Sequence, residues 1–162
     1  MGIFMLSLLA LFMGMVAGLR AMTAPAVVSW AASLGWLDLT GTWLAFLGSK
    51  WAVLVLTLLA FLELVTDKLP ATPSRKVPQQ LGARLLTGAI AGAAIGTPYG
   101  YWIAGLVSGI LGAVAGTYGG AWARAALAQK FGKDLPAALI EDAVAIVAAI
   151  VIVSLLPGAP SA

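Results

Sequence analysis

Between Trp43 and Thr66 the chain carries only two charges, Lys50 and Glu63, and nearly every other residue is apolar or small. A stretch of that length is close to the ~20 residues an α-helix needs to cross the hydrocarbon core of a bilayer. The pattern recurs from Ile3 to Leu19, Ala21 to Leu37, Leu81 to Pro98, Tyr101 to Ala123 and Ala137 to Leu156. Only 9% of the residues are charged and 62% are hydrophobic, with mean hydropathy +1.03. Soluble domains carry about 25% charged residues, so this chain lacks the charges to cover a water-facing surface. The expected fold is all-α: a single domain over residues 1–162, built as a polytopic transmembrane helix bundle. It has six spans, or five plus one broken or re-entrant helix. The alternative concerns Ala21 to Leu37, which is short and holds Pro25, Ser29 and Ser33. Such a helix is tolerated only where protein satisfies its freed backbone groups.

The placement of basic residues orients this bundle. Arg20, then Lys68, Arg75, Lys76 and Arg84, then Arg124, Lys130 and Lys133 fall in or beside loops that share one side. Lys50 alone is left on the other. The positive-inside rule therefore puts eight of the nine basic residues in the cytoplasm and both termini outside. The N-terminal apolar stretch precedes its first positive charge, the reverse of a cleaved signal, and is expected to be retained as the first span. Trp36, Trp43, Trp51 and the uncharged "TPYGYW" at 97–102 are expected to mark the outer interface. Basic residues in short loops are topology signals, so no nucleic-acid partner is expected; the bilayer itself is.

The chain has no Cys and no His, which removes disulfides, thiolate nucleophiles, imidazole bases and the usual zinc sites. Any chemistry falls to carboxylates, hydroxyls, Lys, Arg and backbone. Glu63 and Asp67 stand four residues apart on one helix face near the cytoplasmic end of the third span. Glu141 and Asp142 sit one turn past Pro136 in the sixth span and, being adjacent, diverge by about 100°. Carboxylates in a bilayer cost roughly 2.5–3.5 kcal/mol each at mid-depth and normally face a partner or a wet cavity. Arg20, Arg84 and Arg124 are the partners expected at the same level, because a planar guanidinium pairs with two oxygens and stays charged when desolvated. The convergence reads equally as a structural ionic lock or as a vestibule handling an ion, a proton or an anionic solute, with Glu63 its most buried titratable group. Asp67 and Lys68 are expected to be helix-end charges near water. The loop holding Pro70, Pro73 and Pro78 is expected to be stiff and extended, with Arg75 and Lys76 against anionic lipid head groups.

Glycine marks the expected helix contacts. Gly88, Gly92 and Gly96 repeat every four residues in the fourth span, and Gly112, Gly116 and Gly120 in the fifth. Such rows let backbones approach closely, so these spans are expected to pack as a tight hairpin or against a second copy in a homodimer. "GMVAG" at 14–18 recurs as "GAVAG" at 112–116, each followed by an arginine, 20 and 124. That echo raises an inverted repeat of three spans per half, although both copies lie on spans running the same way, which such a repeat would not produce.

The segments "GLRAMTAP" (18–25), "ELVTDKLPATPSR" (63–75) and "ALIEDAVAI" (138–146) together resemble a family of small bacterial membrane proteins defined as a domain of unknown function, number 4126. The resemblance implies a polytopic protein of the bacterial inner membrane whose recurring polar positions match Arg20, Glu63, Asp67, Glu141 and Asp142. It implies no activity, substrate or cofactor.

Three function classes are compatible with these residues. A small transporter or channel for an ion or a small solute, with anionic solutes among the options, ranks first, with no cofactor and no catalytic residue. An intramembrane lipid-phosphate enzyme with carboxylate-bound Mg²⁺ ranks second, although the chain lacks the DxxDG…AR…GxxxDxxxD pattern of the CDP-alcohol enzymes and "WARAALAQKFGKD" is only a partial echo. A structural or assembly subunit without turnover is the third.

Overall fold

The structure is a computed structural model that describes residues 1–70 and 74–159. These form α1 (Ile3–Leu19), α2 (Thr23–Ser33), a 3-10 turn at Ala45–Gly48, α3 (Lys50–Thr66), α4 (Pro78–Gly96), a second 3-10 turn at Thr97–Tyr99, α5 (Trp102–Phe131) and α6 (Asp134–Ser154). No strand occurs among the described residues. The fold is all-helical, as the apolar pattern predicts. By length and composition α5 and α6 are able to cross a membrane, and α1 is a shorter apolar helix.

Several boundaries move, each for a local reason. The expected second span, Ala21–Leu37, forms only the 11-residue α2, which rises about 16 Å, half of a bilayer core. Trp36 and Leu37 then donate their N–H groups back to Ala31 O, and the Ser29 hydroxyl donates to Leu47 O, so the break closes on itself. The third segment starts at Lys50 and not at Trp43, because Ser49 caps the helix through Ala52 N at 3.1 Å. Pro78 occupies the first turn of α4, where its missing N–H costs nothing. The chain after it is therefore helical, not extended loop. Pro73 lies outside the described residues. At 30 residues, α5 continues past Arg124 to a left-handed Gly132 and measures about 45 Å.

Helix α1 is the hub, packed against α5, α4, α6 and α2. Its contact with α5 is made of backbone. A Cβ on Gly14 would run into the carbonyl of Gly109, one on Gly112 into that of Leu11, and one on Gly116 into that of Met15. The contact positions advance together along both helices, so α1 and α5 run parallel. The two "G-x-V-A-G" segments are thus reciprocal faces of one contact, the geometry small-xxx-small rows favour. They are not copies related by inversion.

The fourth and fifth helices form the expected hairpin, with Gly88 against Gly109, Gly92 against Gly105 and Gly96 against Tyr101. Gly112 and Gly116 are consumed by α1 and not by a second copy. Gly120 faces the Leu19 side chain and an ion pair described below.

Outside this core the molecule is apolar to the surface. Helix α3 buries only Val53 and leaves Trp51, Leu54, Leu58, Phe61, Leu62 and Val65 exposed. Phe4 is 75% exposed and Trp122 76%. Exposed apolar side chains in such number mark a surface that meets lipid or another protein.

Candidate functional site

One end of the bundle gathers nearly all the charge. Arg20 ends α1 in an extended conformation and is fully buried. It reaches three carboxylates: Nε to Asp142 Oδ1 at 2.6 Å, one terminal nitrogen to Asp67 Oδ2 at 2.9 Å, the other to Glu141 Oε2 at 3.4 Å. It also donates to Leu19 O at 2.8 Å. Arg124, two turns before the end of α5, meets two of the same oxygens, Asp67 Oδ2 at 2.6 Å and Glu141 Oε2 at 3.5 Å. Its remaining nitrogens hold Asp134 at 2.9 and 2.6 Å. The parallel packing of α1 and α5 brings these two guanidiniums to the same level. Each then brackets the same pair of acids from its own side.

Four cations, Arg20, Lys68, Arg75 and Arg124, therefore interleave with four carboxylates, Asp67, Asp134, Glu141 and Asp142. Arg75 was expected at lipid head groups, but its fork grips Glu141 at 2.5 and 2.9 Å and is buried. It packs over Gly120, whose missing side chain leaves the space. Lys68 pairs with Asp142 and donates to Leu64 O at 2.7 Å. Asp67 is nearly buried between two arginines. Neither residue is the water-facing helix-end charge its position in the sequence suggests. Lys76 alone of the loop pair stays exposed, its ammonium 5.8 Å from the centre of the Tyr118 ring.

Glu63 and Arg84 stand outside this network. The Glu63 carboxylate accepts the N–H groups of Ala21 and Met22, both at 2.6 Å, and so satisfies orphan donors at the entry to α2, where a negative charge is favoured. Among the described residues Arg84 makes no ion pair with a carboxylate within 4 Å. One terminal nitrogen donates to Gly18 O at 2.8 Å, and its buried Nε has no partner among the described residues. Arg84 thus hydrogen-bonds the carbonyl end of α1, while Glu63 is the acid whose charge acts on it most strongly.

Between these groups opens a cavity of about 570 Å³. Glu63, Asp67, Arg75, Arg84, Arg124 and Asp134 line it, with Ser74, Gln80 and small residues of α4 and α5 between them. Among the described residues no three carboxylates group as a metal site would require, because each acid is interposed with a cation or a backbone donor. The sixth acid, Asp38, lies in the loop after α2, where the Thr40 hydroxyl and N–H hold its carboxyl below the ordinary value. At that end of the molecule Trp43 and Trp102 meet edge to face, 5.9 Å apart.

Asp134, the outermost acid of the network, is not among the site residues the sequence points to, and Arg75 is expected from the sequence at lipid head groups and not in the network. The signal available for Asp134 is its position as first residue of α6, where acids are favoured. For Arg75 there is none, since its partner lies 66 residues away.

No curated protein and no solved structure matches the chain. The sequence pattern of one family matches over residues 7–157, most of the length, and includes every charged side chain of this site. The chain belongs to that family, the domain of unknown function DUF4126.

Proposed function

We propose that the protein is a multi-pass protein of the bacterial inner membrane that moves an ion or small solute, and that the charged cavity is where the solute enters. The observation that carries this reading is the cavity of about 570 Å³, with six charged side chains in its lining, let into the end of a bundle whose outer faces are apolar. Ionisable groups at membrane depth mark solute paths or the locks that gate them, and a cavity beside them supplies the space that a lock alone does not need.

On this reading α1, α3, α4, α5 and α6 cross the bilayer and the chain from Ala21 to Ser49 makes the sixth crossing as a broken element. Two contacts support that path. Ala21 and Met22 touch Glu63 at the charged end, and Trp43 touches Trp102 at the other. Broken helices beside a solute site are a recurrent device in transporters. The positive-inside rule makes the charged end cytoplasmic, leaving Lys50 and both termini outside. A dimer is the assembly a chain this short would use for transport. Its interface would fall on α3 or the outer face of α6, because the glycine rows are spent within the chain.

Reconstitution in liposomes tests the reading. Purified protein is expected to give solute flux above empty vesicles in a screen of inorganic ions and small metabolites. Ala121→Trp, which puts a large side chain at a lining position that makes no ion pair of its own, is expected to stop it. Flux that persists in the filled variant, or no flux for any solute, would remove the transport assignment.

A further inference from the structure

We infer that the outer face of α5 at the charged end seats an anionic phospholipid. Its phosphate meets the ammonium of Lys76 and the Tyr118 and Trp122 donors, and its acyl chain lies along Val107, Leu111 and Val114. The inference rests on the bundle spanning a bilayer, as proposed above, and it names the class of lipid that occupies one place on it.

The depth of this face follows from α5 itself. Trp102 opens the helix, and the rise from there to Trp122 is about 30 Å, the thickness of a hydrocarbon core. Both indoles are exposed, so one helix carries an interfacial ring at each boundary. Trp122 lies at the end where the charges collect, and Tyr118 stands one turn nearer the apolar centre on the same face. The Lys76 ammonium, 5.8 Å from the centre of the Tyr118 ring, is thereby held at head-group level. An apolar stem with its charge at the boundary is the arrangement of a snorkelling lysine.

Partner accounting gives the sign of the head group. Four cations balance four carboxylates in the network, and Arg75, the neighbour of Lys76 in sequence, turns inward to Glu141. Lys76 turns outward, and among the described residues it makes no ion pair. A ring face attracts an ammonium without neutralising it. The Tyr118 hydroxyl and the Trp122 indole N–H add two donors on exposed rings. A cation with two neutral donors beside it suits phosphate oxygens. The phosphate of a zwitterionic lipid already has a cation of its own, so a net-anionic head group gains more from this lysine.

Toward the bilayer centre the same face becomes apolar. Val107, Leu111 and Val114 precede Tyr118 at helical spacing, and all three are exposed. From Val107 to Tyr118 the track measures about 16 Å, close to the hydrocarbon depth of one leaflet. A free phosphate would have no use for such a track, which favours a lipid as the source of the head group.

The test uses the full chain in dodecyl maltoside at fixed ionic strength. Dioleoyl phosphatidylglycerol, dioleoyl phosphatidylcholine or glycerol phosphate is added stepwise, and the unfolding midpoint is read. Phosphatidylglycerol is expected to raise it saturably, and the other two to leave it unmoved. Lys76→Gln changes an exposed side chain outside the ion pairs and should weaken the response about fivefold, the worth of one lysine at an anionic surface. Lys76→Arg should keep it. Lys130→Gln, which removes the same charge from the end of α5 beyond Trp122, should respond as wild type. Equal weakening in the Lys76 and Lys130 glutamine variants would reveal diffuse surface charge and overturn the site. So would no response to phosphatidylglycerol, or an equal one to phosphatidylcholine or glycerol phosphate. A selective phosphatidylglycerol response without solute flux would sink the transport reading and leave this site standing. Release of the chain from membranes by alkaline carbonate would overturn the membrane reading, and the site with it.

Discussion

Arg20→Met is the sharpest test of what the ionic network does. Arg20 is fully buried and contacts three of the four network acids. Removing it leaves four carboxylates facing Lys68, Arg75 and Arg124, one negative charge in excess. Breaking a buried ion pair by deleting one partner costs about 3–5 kcal/mol. The lower end applies, because no acid is stranded: Asp142 keeps Lys68, Asp67 keeps Arg124, and Glu141 keeps the fork of Arg75. A loss of about 3 kcal/mol is roughly two orders of magnitude in the unfolding equilibrium. It is measurable by denaturant titration in mild detergent, followed by helical signal. Adding Asp142→Asn to Arg20→Met restores the balance of charge and is expected to recover about 1 kcal/mol, since residues in one network couple by 0.5–3 kcal/mol. If Arg20→Met lies within about 1 kcal/mol of wild type, or if the second change adds its full cost, the cluster is solvated and weakly coupled. The reasoning that makes it a buried lock would then fail.

Three further outcomes follow from particular contacts. Gly112→Ala should destabilise the protein by at least the ~1–3 kcal/mol of an overpacked core, because the added Cβ meets the rigid carbonyl of Leu11; Gly119→Ala, with nothing within 4 Å, should be neutral or slightly stabilising in the same melt. Ser29→Ala leaves the buried Leu47 carbonyl without its donor and is expected to cost about 1–3 kcal/mol, detectable as early proteolysis around Ala45–Gly48, and unchanged cleavage would show that the break after α2 does not depend on that bond. Because the chain has no native cysteine, Ser49→Cys and Ser74→Cys should react with a membrane-impermeant maleimide from opposite sides of sealed vesicles, and labelling from the same side would refute the six-crossing topology.

Much of the architecture is legible in the residues because it depends on local composition. Apolar length sets where helices form, and glycine spacing tells which faces admit another backbone. Both require only a window of a few turns, which is why α1, α6 and the α4–α5 hairpin lie close to where the sequence predicts them, while α5 runs on past its expected end at Ala123 to Phe131. Family membership is legible for a similar reason, through short polar segments distributed from α1 to α6. The ends of elements are less so. The Ser49 cap and the folding back of Trp36 and Leu37 onto Ala31 are small local energies superimposed on an uninterrupted apolar pattern.

The site divides in the same way. Sequence alone determined that acids and arginines from separate helices would collect at one end of a largely apolar bundle, because isolated charges in such a chain must find one another. Only the tertiary structure decided who meets whom. Arg20 and Asp142 are 122 residues apart, and Arg75 and Glu141 are 66; their pairing depends on the parallel register of α1 with α5, which glycine contacts fix to within a turn. That register also left Arg84 facing a carbonyl in place of a carboxylate. Local pattern can bring a charge to a level in the bundle, but the few ångströms separating a paired guanidinium from a free one are set by how the backbones pack.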